Sequence, residues 1–144
     1  MTSAREQIKE MEGKRNIAYP DPLTHDEPWT IGIGHTGPEV CKGLVWTDEK
    51  IETVFEEDFQ NCVEECEKAF PWFDQLSEPR QAVLLNMCFQ MGMPRLKGFK
   101  KTLGYIRDER YPQAAGEMLN SMWALQTPRR AHRLSTQMRT GEWS

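Results

Sequence analysis

Hydrophobic positions along the chain recur with two different periods, and the places where the period changes mark its elements. Ile8 and Met11 continue an apolar face from Ala4, behind the capping-box pattern Ser3-x-x-Glu6. Gly13 follows as a C-terminal stop, so a first helix is predicted up to Glu12. Between residues 14 and 35 the period drops to two. Ile17 and Tyr19 alternate, and Trp29, Ile31 and Ile33 share a face opposite Thr30, Gly32 and Gly34, the pattern of strands buried on one side. Pro20, Pro22 and Pro28 punctuate the connection and put Asp21 at a strand end or in a turn, while Pro38 and Gly43 mark further turns.

From Thr47 onward the helical period returns. Thr47 caps a segment with Asp48 and Glu49 in its first turn and Ile51, Val54, Phe55, Cys62, Val63 and Cys66 at helical spacing, ended by Pro71. Ser77 opens "EPRQAVLLNMCFQM", apolar on nearly every side and therefore predicted as the buried central helix, closed by Gly92 and Pro94. Phe99, Leu103 and Ile106 mark a shorter helix, and "PQAAGEMLNSMWAL" marks one more. Thr127-Pro128, an N-cap with proline at the first helical position, opens the last. The pattern predicts an α+β fold in one domain over 1–144. A sheet lobe of about 14–46 follows the first helix, and the helical lobe of about 47–144 takes in the N-terminal helix. A cleft between the two lobes is the natural place for a site.

Composition narrows the class. With 144 residues, 38% hydrophobic and 28% charged, the chain can bury a core and is too apolar to be disordered. No apolar run approaches the length of a membrane span, so stable membrane insertion is not expected. The start, "MTSAREQIKEMEGK", lacks the pattern of a signal peptide and implies synthesis in the cytoplasm, with export depending on another factor. Cys41, Cys62, Cys66 and Cys88 are expected to be reduced, some as small buried hydrophobes. Cys62 and Cys66 could suggest a metal with His35 or Asp58, but the spacing lacks a zinc knuckle and a second ligand pair, so no metal is expected.

The net charge of −4 conceals a segregation. Residues 1–78 carry 7 basic and 18 acidic side chains, a net −11, and residues 79–144 carry 11 and 4, a net +7. Either the C-terminal half faces a polyanion or the two halves attract each other. The basic stretch "PRRAHRLSTQMR" reads first as an amphipathic helix with Ala131, Leu134 and Met138 inward, its outward arginines available to an anionic envelope. No recognition-helix or aromatic-interleaved signature accompanies that charge, so nucleic acid is not an expected partner.

Three residues form the main chemical constellation: Glu12, Asp21 nine positions later, and Thr30 nine beyond that. Glu12 falls at a helix C-terminus, where the helix dipole opposes a negative charge. That is a poor place for a structural carboxylate and a good one for a proton donor. A helix end, a turn and a strand could bring the three to one cleft, and two carboxylates flanking a bond are what glycoside hydrolysis needs. Spacing alone does not separate this reading from acids that merely fall near a turn.

"EGKRNIAYPDP" followed by "WTIGIGHT" resembles the phage-type lysozymes, the T4-like endolysin muramidases of glycoside hydrolase family 24. "LLNMCFQMG", "QTPRRAHR" and "MRTGEW" resemble three further family segments in the same order, with a gap after His35 where this sequence is shorter. The resemblance implies a lysozyme-like fold and cleavage of the β-1,4 bond between N-acetylmuramic acid and N-acetylglucosamine. It matches Glu12 to the catalytic acid, Asp21 to the second carboxylate and Thr30 to the hydroxyl that positions water. Asp26 is a fallback for Asp21, and the hydroxyl at Thr30 points to an inverting reaction. Arg130 matches an arginine that pairs with the catalytic glutamate, and His35 with Asp58 matches a structural pair. Gln90 and Trp123 match the lining of the sugar groove, although Leu119, Met122 and Leu125 around Trp123 equally suit a core residue. The implied enzyme is a monomer without a cofactor, made in a host cytoplasm, reaching the peptidoglycan glycan strands through a separate holin and lysing the host. A lytic transglycosylase and an inactive wall-binding module of the same fold are the rivals.

Overall fold

A computed structural model describes residues 2–22 and 24–144. Among these residues there are eight α-helices, one 3-10 turn and three strands, an α+β fold. The chain divides into two compact units, residues 5–61 and residues 2–4 with 62–144.

The first unit is built on a small sheet. Helix α1 (Ala4–Glu12) ends because Gly13 turns to φ +71° and its N–H donates to the Lys9 carbonyl at 2.9 Å. Strands β1 (Arg15–Tyr19), β2 (Thr30–Gly32) and β3 (His35–Thr36) follow in antiparallel order β1-β2-β3. Tyr19 faces Thr30 and Arg15 faces Gly32, so four steps on β1 oppose two on β2 and the strand bulges between them. The bulge defeats strict alternation: Ile17, expected to alternate with Tyr19, is 61% exposed, while Ala18 is buried. Residues 44–46 line the other edge of β1, with Ala18 N–H donating to Leu44 O and Trp46 N–H to Asn16 O.

Helix α2 (Asp48–Ala69) starts at Thr47, whose hydroxyl accepts the Lys50 N–H at 3.1 Å. Its first turns bury Ile51 and Phe55 in the same unit as Ile8 of α1 and Ile31 of β2. Each such side chain contributes roughly 1.5–3 kcal/mol by leaving water. Arg5 and Lys9 bind Glu56 and Glu52 of α2 at 2.8 and 2.7 Å. The Arg5 guanidinium, helped by Gln60, holds Glu56 down to about 2. From Arg5 onward the N-terminal helix groups with the sheet in this first compact unit.

The second unit holds the end of α2 and six further helices: α3 (Glu78–Met91), α4 (Met93–Lys97), α5 (Lys100–Arg107), α6 (Tyr111–Leu119), α7 (Met122–Gln126) and α8 (Pro128–Thr140). Residues 82–88 of α3 are all buried, and α8 packs on α3, α6 and α7. Three boundaries depart from the sequence pattern. Gly92 closes α3 but also opens α4, a short helix with Pro94 in its first turn. The "PQAAGEMLNSMWAL" stretch is two helices, because the Ser121 hydroxyl donates to Met118 O at 2.7 Å and accepts from Ala124 N at 3.1 Å, ending one helix while capping the next. Thr127 does not cap α8 through its side chain, since its hydroxyl turns back to the Trp123 carbonyl at 3.0 Å.

All four cysteines are free thiols, Cys41 exposed and the others buried in the helical unit. Cys62 and Cys66 face Cys88 of α3, and the hydrogen bond to Cys88 together with burial pushes the Cys66 thiol up.

Candidate active site

Glu12 is the last residue of α1 and is half-buried. Its carboxyl group occupies the space where Gly34 has no side chain: a Cβ there would stand 2.8 Å from Glu12 Cδ and 3.2 Å from Cγ. Gly34 lies at φ +67° in the turn between β2 and β3, so backbone conformation and side-chain size both call for glycine. Tyr19 completes the group. Burial first, and then the Glu12 charge, push its phenol up, while the same hydroxyl is hydrogen-bonded to Thr30. Arg15 caps its ring at 4.9 Å from the centroid. Glu12, Tyr19 and Thr30 thus form one cluster on the sheet unit. The sequence pattern assigned Tyr19 only to a strand face. Its place opposite Thr30 depends on the bulge, which period-two reading does not reveal.

Asp21 follows at the end of β1 and heads a tight turn. Its Oδ2 accepts the Thr24 N–H at 3.0 Å, its carbonyl accepts His25 N–H at 2.8 Å, and its own N–H donates to Asp26 O at 2.9 Å. Asp21 is half-buried whereas Asp26 is exposed and gives its backbone to the same turn. The turn orients Asp21 and leaves Asp26 in solvent.

His35 on β3 reaches α2 through Nδ1, 2.6 Å from Asp58 Oδ2, while Nε2 lies 2.7 Å from Glu39 Oε1. Trp46 covers the ring at a centroid distance of 5.4 Å. The bond to Asp58 outweighs burial and holds the imidazole above its usual range. With both ring nitrogens engaged, His35 ties strand to helix and has no lone pair to offer as a base. Asp58 is likewise committed to His35.

The other three expected residues lie in the helical unit. Arg130 on α8 donates through Nε to Asn86 Oδ1 of α3 at 2.8 Å. Trp123 on α7 donates its indole N–H to Gln90 Oε1 at 2.8 Å and packs edge-on against Phe99. It is only 3% exposed, so the ring packs within this unit and fixes Gln90, while also standing at the wall of a cavity that Phe99, Lys100 and Lys101 line with it. Met122 and Leu125, read as its core neighbours, are instead 64% and 76% exposed. Among the described residues no group of three or more histidine, cysteine, aspartate or glutamate side chains is disposed to hold a metal ion.

Residues 9–137 match the family model described as phage lysozyme. The chain is 28% identical to a protein named probable T4-type lysozyme 2 from Dictyostelium discoideum, over 98% of this chain and 96% of that one. It is 30% identical to a protein named endolysin from Bacillus phage B103, over 78% of this chain and 41% of the relative. A peptidoglycan hydrolase, gp36 of Pseudomonas phage phiKMV, is 28% identical over 88% of this chain and 14% of its own length.

Proposed function

The chain belongs to the phage lysozyme family, and on that premise we propose that it is an inverting muramidase that cuts the β-1,4 bond between N-acetylmuramic acid and N-acetylglucosamine. Its relatives named lysozyme, endolysin and peptidoglycan hydrolase support the substrate class. The observation that carries the reading is the Glu12–Tyr19–Thr30 cluster, with the Glu12 carboxyl group seated against the backbone at Gly34.

Glu12 gives its proton to the glycosidic oxygen as the bond to the muramic acid C1 breaks. Thr30, held by Tyr19, and Asp21, held by its turn, position a water on the opposite face of the sugar. As that water attacks C1, Asp21 takes up its proton. Gln90, oriented by the Trp123 indole, is a sugar-binding residue of the helical unit. The enzyme works as a monomer in a single catalytic domain and needs no cofactor. In host lysis it is made in the cytoplasm and reaches the wall once a separate holin opens the inner membrane. No helix among the described residues is long and apolar enough to cross a membrane.

Mass spectrometry and NMR of digested sacculi test this directly. The expected products end in reducing muramic acid and first appear as the α-anomer. Ends in 1,6-anhydromuramic acid would make the protein a lytic transglycosylase, a β-anomer would make Asp21 a nucleophile, and intact glycan would leave a binding module. Glu12→Gln removes only the transferable proton and should lower the rate about 10²- to 10⁴-fold at unchanged melting temperature.

A further inference from the structure

Three of the four cysteines meet in the helical unit, and nothing in the mechanism above uses them. Cys62 and Cys66 stand one helical turn apart on the buried face of α2. Cys88 ends the run of buried residues on α3. The Cys62 and Cys66 thiols both hydrogen-bond to the Cys88 sulfur, so one residue of α3 touches two of α2.

Geometry decides which of these sulfurs can join. Side chains four apart on a helix hold their Cβ atoms about 5–6 Å apart, whereas a disulfide needs about 3.5–4.5 Å. Cys62 and Cys66 therefore cannot close on each other without unwinding α2. Any disulfide within the cluster includes Cys88, which already reaches both partners from α3. Charge and burial then set the roles. The two thiol donors, Cys62 first and Cys66 second, hold Cys88 below the usual thiol range against its burial, so Cys88 is the sulfur that ionises. The bond to Cys88 and burial push the Cys66 thiol up, which makes it a poor attacking group. Cys62 is 7% exposed, against 0% for Cys66 and 3% for Cys88. The surface is near: burial and then the Cys88 charge push up the exposed Glu65, the residue before Cys66. Such a site admits a molecule as small as a peroxide and excludes a bulky disulfide.

We propose that Cys88 and Cys62 are a peroxide-sensitive thiol pair that closes to a disulfide and ties α3 to α2, with Cys66 left as a thiol. The Cys88 sulfur attacks one peroxide oxygen, the O–O bond breaks, and the thiol proton leaves with the other oxygen as water. The Cys62 sulfur then attacks the Cys88 sulfenic acid, the S–O bond breaks, and the Cys62 proton leaves in a second water. Two thiols have given two electrons to one peroxide, and an external dithiol reverses the step.

The test uses Cys41→Ser protein, which removes the exposed thiol and keeps the cluster. After hydrogen peroxide in native buffer, its free thiols should fall from three to one. Non-reducing peptide mapping should find Cys62 and Cys88 in one linked pair, lighter by two hydrogens. The linked protein should melt roughly 5–10 °C higher, and dithiothreitol should abolish the gain. Adding Cys62→Ala should leave a Cys88 sulfenic acid that dimedone traps, and adding Cys88→Ala should end disulfide formation. Oxidised glutathione should act on the pair about tenfold more slowly than peroxide, while modifying the exposed Cys41 of the parent chain readily. Three thiols surviving peroxide, or a link between Cys66 and Cys88, would overturn the assignment. Equal rates with the two oxidants would show that the pair reacts only when the fold opens, and would remove the native site. An unchanged or lower melting temperature would overturn the tie.

Discussion

The smallest determinant of the candidate site is an absent methyl group. Gly34 leaves room for the Glu12 carboxyl, and any Cβ would meet it at 2.8 Å from Cδ. Gly34→Ala should therefore cost about 1–2 kcal/mol of stability for the left-handed backbone and also move the acid. Misplacing a reacting group by roughly 1 Å can lower turnover about 10²-fold. Gly13→Ala shares the positive φ, at +71°, but has nothing within 4 Å of its added Cβ. It should lose similar stability and keep far more activity. Turnover on sacculi beside thermal melts separates the two, and equal losses of activity would show that Gly34 acts only through strain. The sequence made Glu12 a candidate by its helix-end position, and "GIGHT" displayed the glycine. What it could not display was that these two residues touch. Tyr19 was missed for the same reason, since its meeting with Thr30 follows from a bulge that no local pattern encodes.

Between elements, legibility followed the direction of hydroxyl groups. Thr47 and Ser77 cap forward and Gly13 stops α1, as the sequence implied. Ser121 caps where no break was expected, and Thr127 turns backward where a cap was expected. Each choice depends on a carbonyl presented by the preceding helix. The His35–Asp58 link between β3 and α2 was legible only through the family resemblance, and its energetics carry a pH signature. The folded state holds His35 above its ordinary value of 6.5, chiefly through the bond to Asp58. A raised folded-state pKa means the link contributes fully below 6.5 and is lost as pH rises through the folded value. His35→Asn should cost about 1–3 kcal/mol in mildly acidic buffer, where the bond is charge-assisted. The gap to the parent protein should narrow on the alkaline side. Chemical denaturation of both proteins across that range measures it, and a gap independent of pH would mean the imidazole is held by packing on Trp46 alone.

At the scale of the whole chain, charge is divided between the two compact units. Residues 5–61 carry 13 acidic and 6 basic side chains, a net −7, and the remainder carries 9 and 12, a net +3. The sheet unit spends three of its cations on its own acids, in the Arg5–Glu56, Lys9–Glu52 and Lys14–Asp48 pairs. In the helical unit Arg80 and Arg133 instead serve carbonyl groups, Arg80 those of Met138 and Arg139 and Arg133 that of Ser144. Part of the basic excess seen in the sequence is therefore structural, a distinction that composition could not make. Lys100, Lys101 and Arg129 are exposed, and the first two border a cavity of about 510 Å³ with Trp123 at its wall. These are among the cations available to a wall rich in muramic acid and peptide carboxylates. Exchanging all three for glutamine should weaken adsorption to purified sacculi about tenfold at low salt, at several tenths of a kcal/mol per exposed charge. The difference should fade as the screening length contracts from ~10 Å at about 0.1 M to ~3 Å at about 1 M salt. Cleavage of a short soluble glycan of alternating N-acetylglucosamine and N-acetylmuramic acid, followed at high salt, should be unaffected, because the substituted residues lie outside the Glu12–Tyr19–Thr30 cluster. Adsorption that ignored both the substitutions and the salt would assign wall binding to the neutral contacts of the sugar sites and leave the basic excess without a part in it.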